Sequence, residues 1–88
     1  MVQVSYRSEV FEEDGQYVSV CPELDVSSFG NSPQDARDSL HEAVEGFLEE
    51  CLSMGTLAEV LEESGFRNDG AVWRLRERAY EERAATIR

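Results

Sequence analysis

A long amphipathic helix decides the fold of this chain, and its sequence, at residues 32–55, is SPQDARDSLHEAVEGFLEECLSMG. Ser32 followed by Pro33 is typical of a helix N-terminus, because serine caps the free N–H groups and proline fits the first helical turn. Gly55 suits the left-handed position that ends many helices. Apolar residues recur between these ends at helical spacing, at Ala36, Leu40, Ala43, Val44, Phe47, Leu48, Cys51 and Leu52. The stretch therefore predicts one helix with a single apolar face.

The opposite side of this helix is acidic. Its carboxylates are those of Asp38, Glu42, Glu45, Glu49 and Glu50. Such a surface is most often solvated, and its other use is to attract a cationic partner. Gly46 lies in the helix interior, where glycine costs roughly 1 kcal/mol against alanine, so we expect it to allow close approach of another backbone. The apolar face is expected to cover one face of a sheet.

The residues before the helix predict an antiparallel meander. Residues 2–10 alternate between apolar and polar side chains, which is typical of a half-buried strand. Asp14 followed by Gly15 is a strong signal for a tight hairpin turn, and residues 16–21 predict the returning strand. A third, short strand is expected over residues 25–29.

The residues after the helix predict a second helix and a fourth strand. Thr56 and Glu59 have the spacing of a capping box, so a short helix is expected to start there and to end near residue 65. Phe66 follows it and is expected to pack back on the core. Residues 71–76 alternate again and predict a strand. The competing interpretation is a helix whose apolar face would comprise Trp73, Tyr80, Ala84 and Ile87.

Together these elements predict an α+β fold in a single domain. The expected architecture is an antiparallel sheet of three to four strands covered by one long helix, in the order β-β-β-α-α-β. A turn is expected at residues 68–70, and the last strand would turn Ala71, Trp73 and Leu75 inward. Arg74 and Arg76 would then face solvent.

The charge of the chain is strongly negative and unevenly distributed. The 88 residues contain 19 acidic side chains and 8 arginines, which gives a net charge of -11. Residues 1–66 contain 15 acidic side chains and 2 arginines, whereas residues 67–88 contain 4 and 6. Nucleic-acid backbones and anionic membrane surfaces repel such a body. A basic protein is the partner that its charge favours.

No catalytic or metal-binding motif stands out, and we expect no enzyme activity and no cofactor. Cys21 and Cys51 are far apart in sequence and are expected to be reduced core thiols of a cytoplasmic protein. His41 is expected on a partly exposed helix surface. Asp14, Glu23 and Asp25 could in principle gather as carboxylates around a metal ion, but chance proximity is expected among so many acidic residues.

The order of these motifs resembles a known family. An acidic turn, a strand, Pro-Glu-Leu and a short strand ending in glycine occupy residues 12–30, as EEDGQYVSVCPELDVSSFG. SPQDA then opens the helix at residues 32–36, and GTLAEVLEESGF follows at residues 55–66. This arrangement looks like the HicB antitoxin family. Asp-Val-Ser at residues 25–27 stands where many members carry Pro-Gly-Cys.

The resemblance implies a truncated ribonuclease H-like fold without its catalytic carboxylates. It also implies that the chain binds and neutralises a small basic toxin of the HicA type, which cleaves mRNA. Residues 1–66 would form the HicB-like core, and residues 67–88 an arginine-bearing extension. DNA binding is not expected, because these last residues are too short for a helix-turn-helix. The expected partner-binding residues are Glu12, Glu13, Asp14, Tyr17, Glu23 and Asp25.

Self-association is also expected, and two other functions stay open. Unpaired sheet edges and a surplus C-terminal element favour a homodimer or tetramer, with Trp73, Leu75 and Tyr80 as the contact residues. A stand-alone oligomeric module that binds a small ligand or regulates another protein is the first alternative. A weak metal-dependent nuclease, by analogy to ribonuclease H, is the second. A small basic protein encoded beside this chain would favour the antitoxin.

Overall fold

The computed structural model of the chain describes residues 2–76 and 83–87, which form a small α+β domain of two helices and six strands. In chain order the elements are β1 (Gln3–Val4), β2 (Glu9–Glu13), β3 (Gln16–Cys21), β4 (Val26–Gly30), α1 (Pro33–Met54), α2 (Leu57–Glu63), β5 (Phe66–Asp69) and β6 (Val72–Leu75). The long helix and the meander before it are therefore confirmed. The strands form two three-stranded sheets, one of β2, β3 and β4 and one of β1, β6 and β5.

Both ends of α1 follow the local rules that the sequence predicts. The hydroxyl oxygen of Ser32 accepts a hydrogen bond from the backbone N–H of Asp35 at 3.0 Å. At the other end Gly55 has a φ of 75°, and its N–H donates to the carbonyl of Leu52 at 3.1 Å. Glycine adopts this left-handed conformation without a steric penalty. Capping therefore sets the limits of α1 before any tertiary contact is considered.

The sheet formed by β2, β3 and β4 is antiparallel and connected by two tight turns. Asp14 and Gly15 have φ values of 51° and 82° between the paired residues Glu13 and Gln16, the geometry of a type I′ turn. The predicted hairpin is thus confirmed. Residues 22–25 connect β3 to β4, and Asp25 there has a φ of 56°, which aspartate tolerates better than most residues.

The prediction of one continuous strand over residues 2–10 is wrong. The chain forms the short β1, leaves regular structure at residues 5–8, and enters the antiparallel sheet as β2. β1 instead pairs with β6 in parallel, and the N–H of Ser5 extends this ladder to the carbonyl of Trp73 at 2.8 Å. The break has a tertiary cause, because the side chains of Tyr6 and Arg7 turn to partners on other elements.

The C-terminal half contains one strand more than predicted. Residues 68 and 69 belong to β5 rather than to a turn, and the chain reverses at Gly70, whose φ is 74°. The observed order is therefore β-β-β-β-α-α-β-β in two sheets, not β-β-β-α-α-β in one. β6 confirms the strand interpretation of residues 71–76, with Arg74 exposed as expected. The inward position predicted for Ala71 is wrong, because Ala71 belongs to the turn before β6 and is exposed. Tyr80, part of the alternative helix, lies outside the described residues.

α2 begins where predicted but without the expected capping bond. Thr56 precedes its first residue, yet the Thr56 side chain does not cap the helix. Its hydroxyl donates instead to the carbonyl of Cys51 at 3.3 Å. Thr56 therefore stabilises the connection between the two helices by closing the end of α1, rather than starting α2.

The core lies between α1, α2 and the two sheets. Its buried apolar side chains are those of Cys21, Leu24, Leu40, Val44, Cys51, Leu57, Leu61 and Phe66. Phe66 is fully buried, as predicted, and Trp73 and Leu75 pack against the same cluster. Residues of both helices and both sheets therefore share one hydrophobic core.

Two glycines differ in their surroundings. A Cβ on Gly46 would meet no atom within 4 Å, so the expectation of a close backbone approach there is wrong. The close approach occurs at Gly30, where a Cβ would lie 2.7 Å from the backbone nitrogen of Ala36 and 2.8 Å from the carbonyl carbon of Asp35. Gly30 thus lets the end of β4 lie directly against the first turn of α1.

We expect Gly30→Ala to lower the free energy of unfolding by about 2 kcal/mol, because the added methyl group meets backbone that cannot rotate away. Gly46→Ala is the matched control and should raise it by roughly 0.5–1 kcal/mol, the helix-propensity difference. Urea denaturation followed by circular dichroism measures both. Equal effects of the two substitutions would contradict the packing at Gly30.

Candidate functional site

The acidic side of α1 is a solvent-exposed surface. All five of its acidic residues are exposed, namely Asp38, Glu42, Glu45, Glu49 and Glu50, and two of them, Glu45 and Glu49, also line a groove beside the helix. Arg37 is the single arginine among residues 33–54, and among the described residues the one contact within ion-pair distance on this surface joins His41 Nε2 to Glu45 Oε2 at 3.6 Å. Among the described residues, most of the helix charge is therefore available to a partner.

The six predicted partner-binding residues divide between the two ends of strand β3. One end carries the acidic turn and the residue that pairs with it across the sheet, namely Glu12, Glu13, Asp14 and Tyr17. Glu23 and Asp25 lie in the turn between β3 and β4, at the other end. A six-residue strand separates its ends by about 17 Å. The structure therefore does not bring these residues into one cluster.

Glu23 is held inside the protein by an arginine. Its side chain is 6% exposed, and its Oε2 accepts hydrogen bonds from Arg7 Nη2 at 2.9 Å and Arg7 Nε at 3.2 Å. This bond and the Glu23 charge raise the pKa of the Arg7 guanidinium. Glu23 Oε1 is buried with no hydrogen-bond partner among the described residues. Glu23 thus tethers the segment after β1 to the β3–β4 turn and contributes little free charge to the surface.

A groove lies between the N-terminal segment and the second half of α1. Its volume is about 220 Å³, and its floor is apolar, with Val4, Val44 and Leu48 among its lining residues. The hydroxyl of Tyr6 lies 2.7 Å from His41 Nδ1, and the two rings stack with their centroids 6.0 Å apart. His41 is exposed, as predicted. Its aromatic partner lies 35 residues away along the chain, so no local sequence pattern indicates the contact.

The face of the β2–β3–β4 sheet opposite to α1 carries an apolar row. Register pairs Phe11 with Val18 and Val18 with Phe29, so the three side chains lie side by side across the sheet. Phe11 is 48% exposed and Phe29 63% exposed. We call this row, with the neighbouring Val20, the outer apolar row. No local sequence pattern predicts this row, because it depends on the register between strands.

The predicted oligomer contacts face the core of their own chain. Trp73 and Leu75 are partly buried and pack against the core cluster. Tyr80 lies outside the described residues. Their part in self-association stays a prediction, and these two side chains are already used for folding.

Cys21 and Cys51 are free and buried, which confirms the expected core thiols. Burial raises the pKa of the Cys21 thiol, so the neutral form is favoured in the folded protein. Burial also raises the pKa of Tyr6, and the charges of Cys21 and Glu45 add to that effect. Neither environment activates a nucleophile.

These shifts predict a loss of stability at alkaline pH. A thiol ionises near pH ~8.5 in the unfolded chain and at higher pH in the folded protein, so stability falls as pH rises above that value. For the Cys21 thiol the free energy of unfolding falls by at most about 1.4 kcal/mol per pH unit. Ionisation of Tyr6, which is more exposed to solvent, adds a smaller loss of stability above pH ~10. Urea denaturation of the wild type should show this decline between neutral pH and pH ~9.5, and Cys21→Ala should flatten it. Tyr6→Phe, the control, should keep the slope over that range, and equal slopes in wild type and Cys21→Ala would contradict the assignment.

The structure offers no cluster for the metal-site alternative. Asp14 lies at the opposite end of β3 from Glu23 and Asp25. Within residues 2–76 and 83–87 no group of three or more histidine, cysteine, aspartate or glutamate side chains could hold a metal ion.

Comparisons with known proteins identify no relative of this chain. A scan against protein-family models, a search of curated proteins and a search of solved structures each found no match to this chain. In the part of the chain that the structure describes, no helix combines the length and apolar composition of a membrane span.

Proposed function

We propose that this chain is an antitoxin-like binding protein that neutralises a small basic ribonuclease of the HicA type. The observation that carries the proposal is the unbalanced charge of the folded body. Residues 1–66 contain 15 acidic side chains against 2 arginines, and Arg7, one of those two, is bound to Glu23. The acidic side of α1 faces solvent. A surface of this sign attracts a cationic protein and speeds its association.

The strand arrangement supports the HicB-like and ribonuclease H-like interpretation. An antiparallel meander of β2, β3 and β4 is followed by the long α1, and the later strand β6 pairs in parallel with β1. β1 directly precedes the meander in the chain, but it pairs with β6 in the second sheet and not with β2. The part that supports the proposed core is the meander followed directly by the long helix, whereas the division into two sheets differs from it.

Inhibition would come from competition and coverage rather than chemistry. A ribonuclease that binds RNA through cationic side chains loses its substrate when carboxylates occupy the positions of the phosphates. The body of an 88-residue protein docked there would also cover the active site of the ribonuclease. We propose that the protein acts this way in the cytoplasm, as a homodimer or tetramer, with no cofactor.

Complex formation with a HicA-type ribonuclease encoded beside this chain tests the proposal. We expect co-elution in size-exclusion chromatography at about 100 mM salt and a marked loss of the complex at about 1 M, because salt screens exposed charges. A catalytically inactive ribonuclease variant is the suitable partner, since it spares the host. Separate elution of the two proteins at the lower salt concentration would contradict the proposal.

The groove favours a second candidate, a stand-alone module that binds a small ligand. Its apolar floor and the polar pair Tyr6 and His41 at its rim have the general character of ligand pockets. Its volume of about 220 Å³ is smaller than most such pockets. A small-molecule fragment that raises the melting temperature of the wild type, but not that of Tyr6→Ala, would favour this function. The antitoxin proposal predicts no such ligand requirement.

A further inference from the structure

The outer apolar row runs across all three strands of the sheet. The residues of β2, β3 and β4 that share this face are Glu9, Phe11, Glu13, Gln16, Val18, Val20, Ser27 and Phe29. The opposite face packs on α1, as the full burial of Ser19 and Cys21 shows. Large exposed aromatic side chains grouped on one face are typical of interaction sites.

Acidic residues flank this row, and none of the strand residues on this face is cationic. Glu9 and Glu13 precede and follow Phe11 on the same face of β2. In a two-fold contact between copies of the chain these carboxylates would face a surface of the same charge, which is unfavourable. A second copy therefore fits the face poorly. A partner whose surface has an apolar centre and cationic side chains around it matches this face, because the apolar parts would pack together and the charges would pair.

We propose that this outer sheet face is the docking surface for the basic protein partner. The inference rests on the proposed function for the existence of a basic partner, and it adds where and how that partner binds. An apolar or aromatic side chain of the partner packs on Phe11, Val18 and Phe29, while arginine or lysine side chains pair with Glu9 and Glu13. The acidic residues of α1 then attract the partner at long range without forming the contact.

The sheet is suited to this role because its backbone is already fixed. A type I′ turn joins β2 to β3, and continuous antiparallel pairing joins β3 to β4 over residues 17–30. Phenylalanine and valine also lose little side-chain freedom on binding compared with long polar residues. The ordering cost of binding is therefore small for this face.

A peptide probe tests the surface without a ribonuclease. The probe is the synthetic peptide Arg-Leu-Arg-Phe-Arg-Leu-Arg, which presents apolar side chains between cations when extended. Titration into ¹⁵N-labelled protein should shift the amide resonances of residues 9–13, 16–20 and 27–29. Phe11→Thr with Phe29→Thr should weaken binding by about tenfold or more, and threonine suits strands, so the fold is expected to persist.

Leu52→Thr with Met54→Thr is the matched control, because these two residues are also exposed and apolar but lie at the end of α1. It should leave the affinity within about twofold. Shifts confined to α1 or to the groove, or equal affinity of the Phe11/Phe29 variant and wild type, would overturn the docking surface. If the peptide binds this face but no HicA-type ribonuclease forms a complex, the proposed function fails and the surface stands. If the ribonuclease binds and the Phe11/Phe29 variant still inhibits it fully, the function stands and the surface fails.

Discussion

Phe66→Ala is expected to lower the free energy of unfolding by about 3–5 kcal/mol, the cost of removing a buried aromatic ring. Phe66 is fully buried where β5 meets α2, within the cluster that also contains Leu61 and Leu57. A domain of this size has a free energy of unfolding on the order of 5–10 kcal/mol. The variant should therefore be largely unfolded at moderate urea concentrations where the wild type is folded.

Phe29→Ala provides the control for the same chemical change. Phe29 is 63% exposed on the outer sheet face, so its loss should cost less than about 1 kcal/mol. Urea denaturation followed by circular dichroism compares the two variants directly. Similar destabilisation by both would show that β5 does not complete the core, and would contradict the second sheet.

Glu9→Gln with Glu13→Gln is expected to weaken the complex with the basic ribonuclease by about 100-fold, or about 1.4 kcal/mol for each carboxylate that no longer pairs with a cation. Glutamine keeps the size of each side chain and removes the charge. The matched control is Glu42→Gln with Glu45→Gln, which changes the net charge equally on the acidic side of α1. This control should weaken the complex by less than about tenfold.

Titration calorimetry at low salt gives the dissociation constants of the wild type and both variants. The excess effect at Glu9 and Glu13 reports direct contact, because long-range attraction falls equally in both variants. A larger effect of the α1 variant would move the contact to the helix and contradict the outer-face assignment. Equal increases in the dissociation constants of the two variants would mean that Glu9 and Glu13 act only through long-range attraction, which would also contradict the assignment.

The parts of the fold that depend on neighbouring residues could be predicted from the sequence. Ser32, Pro33 and Gly55 set the ends of α1 through local hydrogen bonds and backbone preference. Asp14 and Gly15 likewise fix the first hairpin, because a type I′ turn needs two residues with positive φ. In both cases the decisive interactions lie within a few residues of one another.

The parts that depend on distant residues could not be predicted. Residues 2–10 alternate like one strand, but Tyr6 reaches His41, 35 residues away, and Arg7 reaches Glu23, 16 residues away. These contacts interrupt the strand. β5 has the sequence Phe-Arg-Asn-Asp, whose single apolar residue gives no alternation to detect. Its pairing with β6 depends on the turn at Gly70.

The candidate site shows the same limit. The acidic side of α1 follows from helical periodicity and faces solvent as predicted. Glu23 was expected to face a partner, but its carboxylate is buried against Arg7, a contact that no local pattern indicates. The outer apolar row joins Phe11 and Phe29 only because both pair with Val18 in register. A strand prediction does not say which residues of two strands pair, so this surface is visible only in the folded structure.

The measurement that tests the central claim most directly is RNA cleavage by a HicA-type ribonuclease encoded beside this chain, at fixed enzyme and increasing amounts of the protein. At about 100 mM salt we expect cleavage to fall in proportion to the added protein and to stop near molar equivalence. The Phe66→Ala variant should inhibit only in proportion to its folded fraction. Undiminished cleavage in the presence of a large excess of folded wild-type protein would contradict the claim that this acidic domain is an antitoxin.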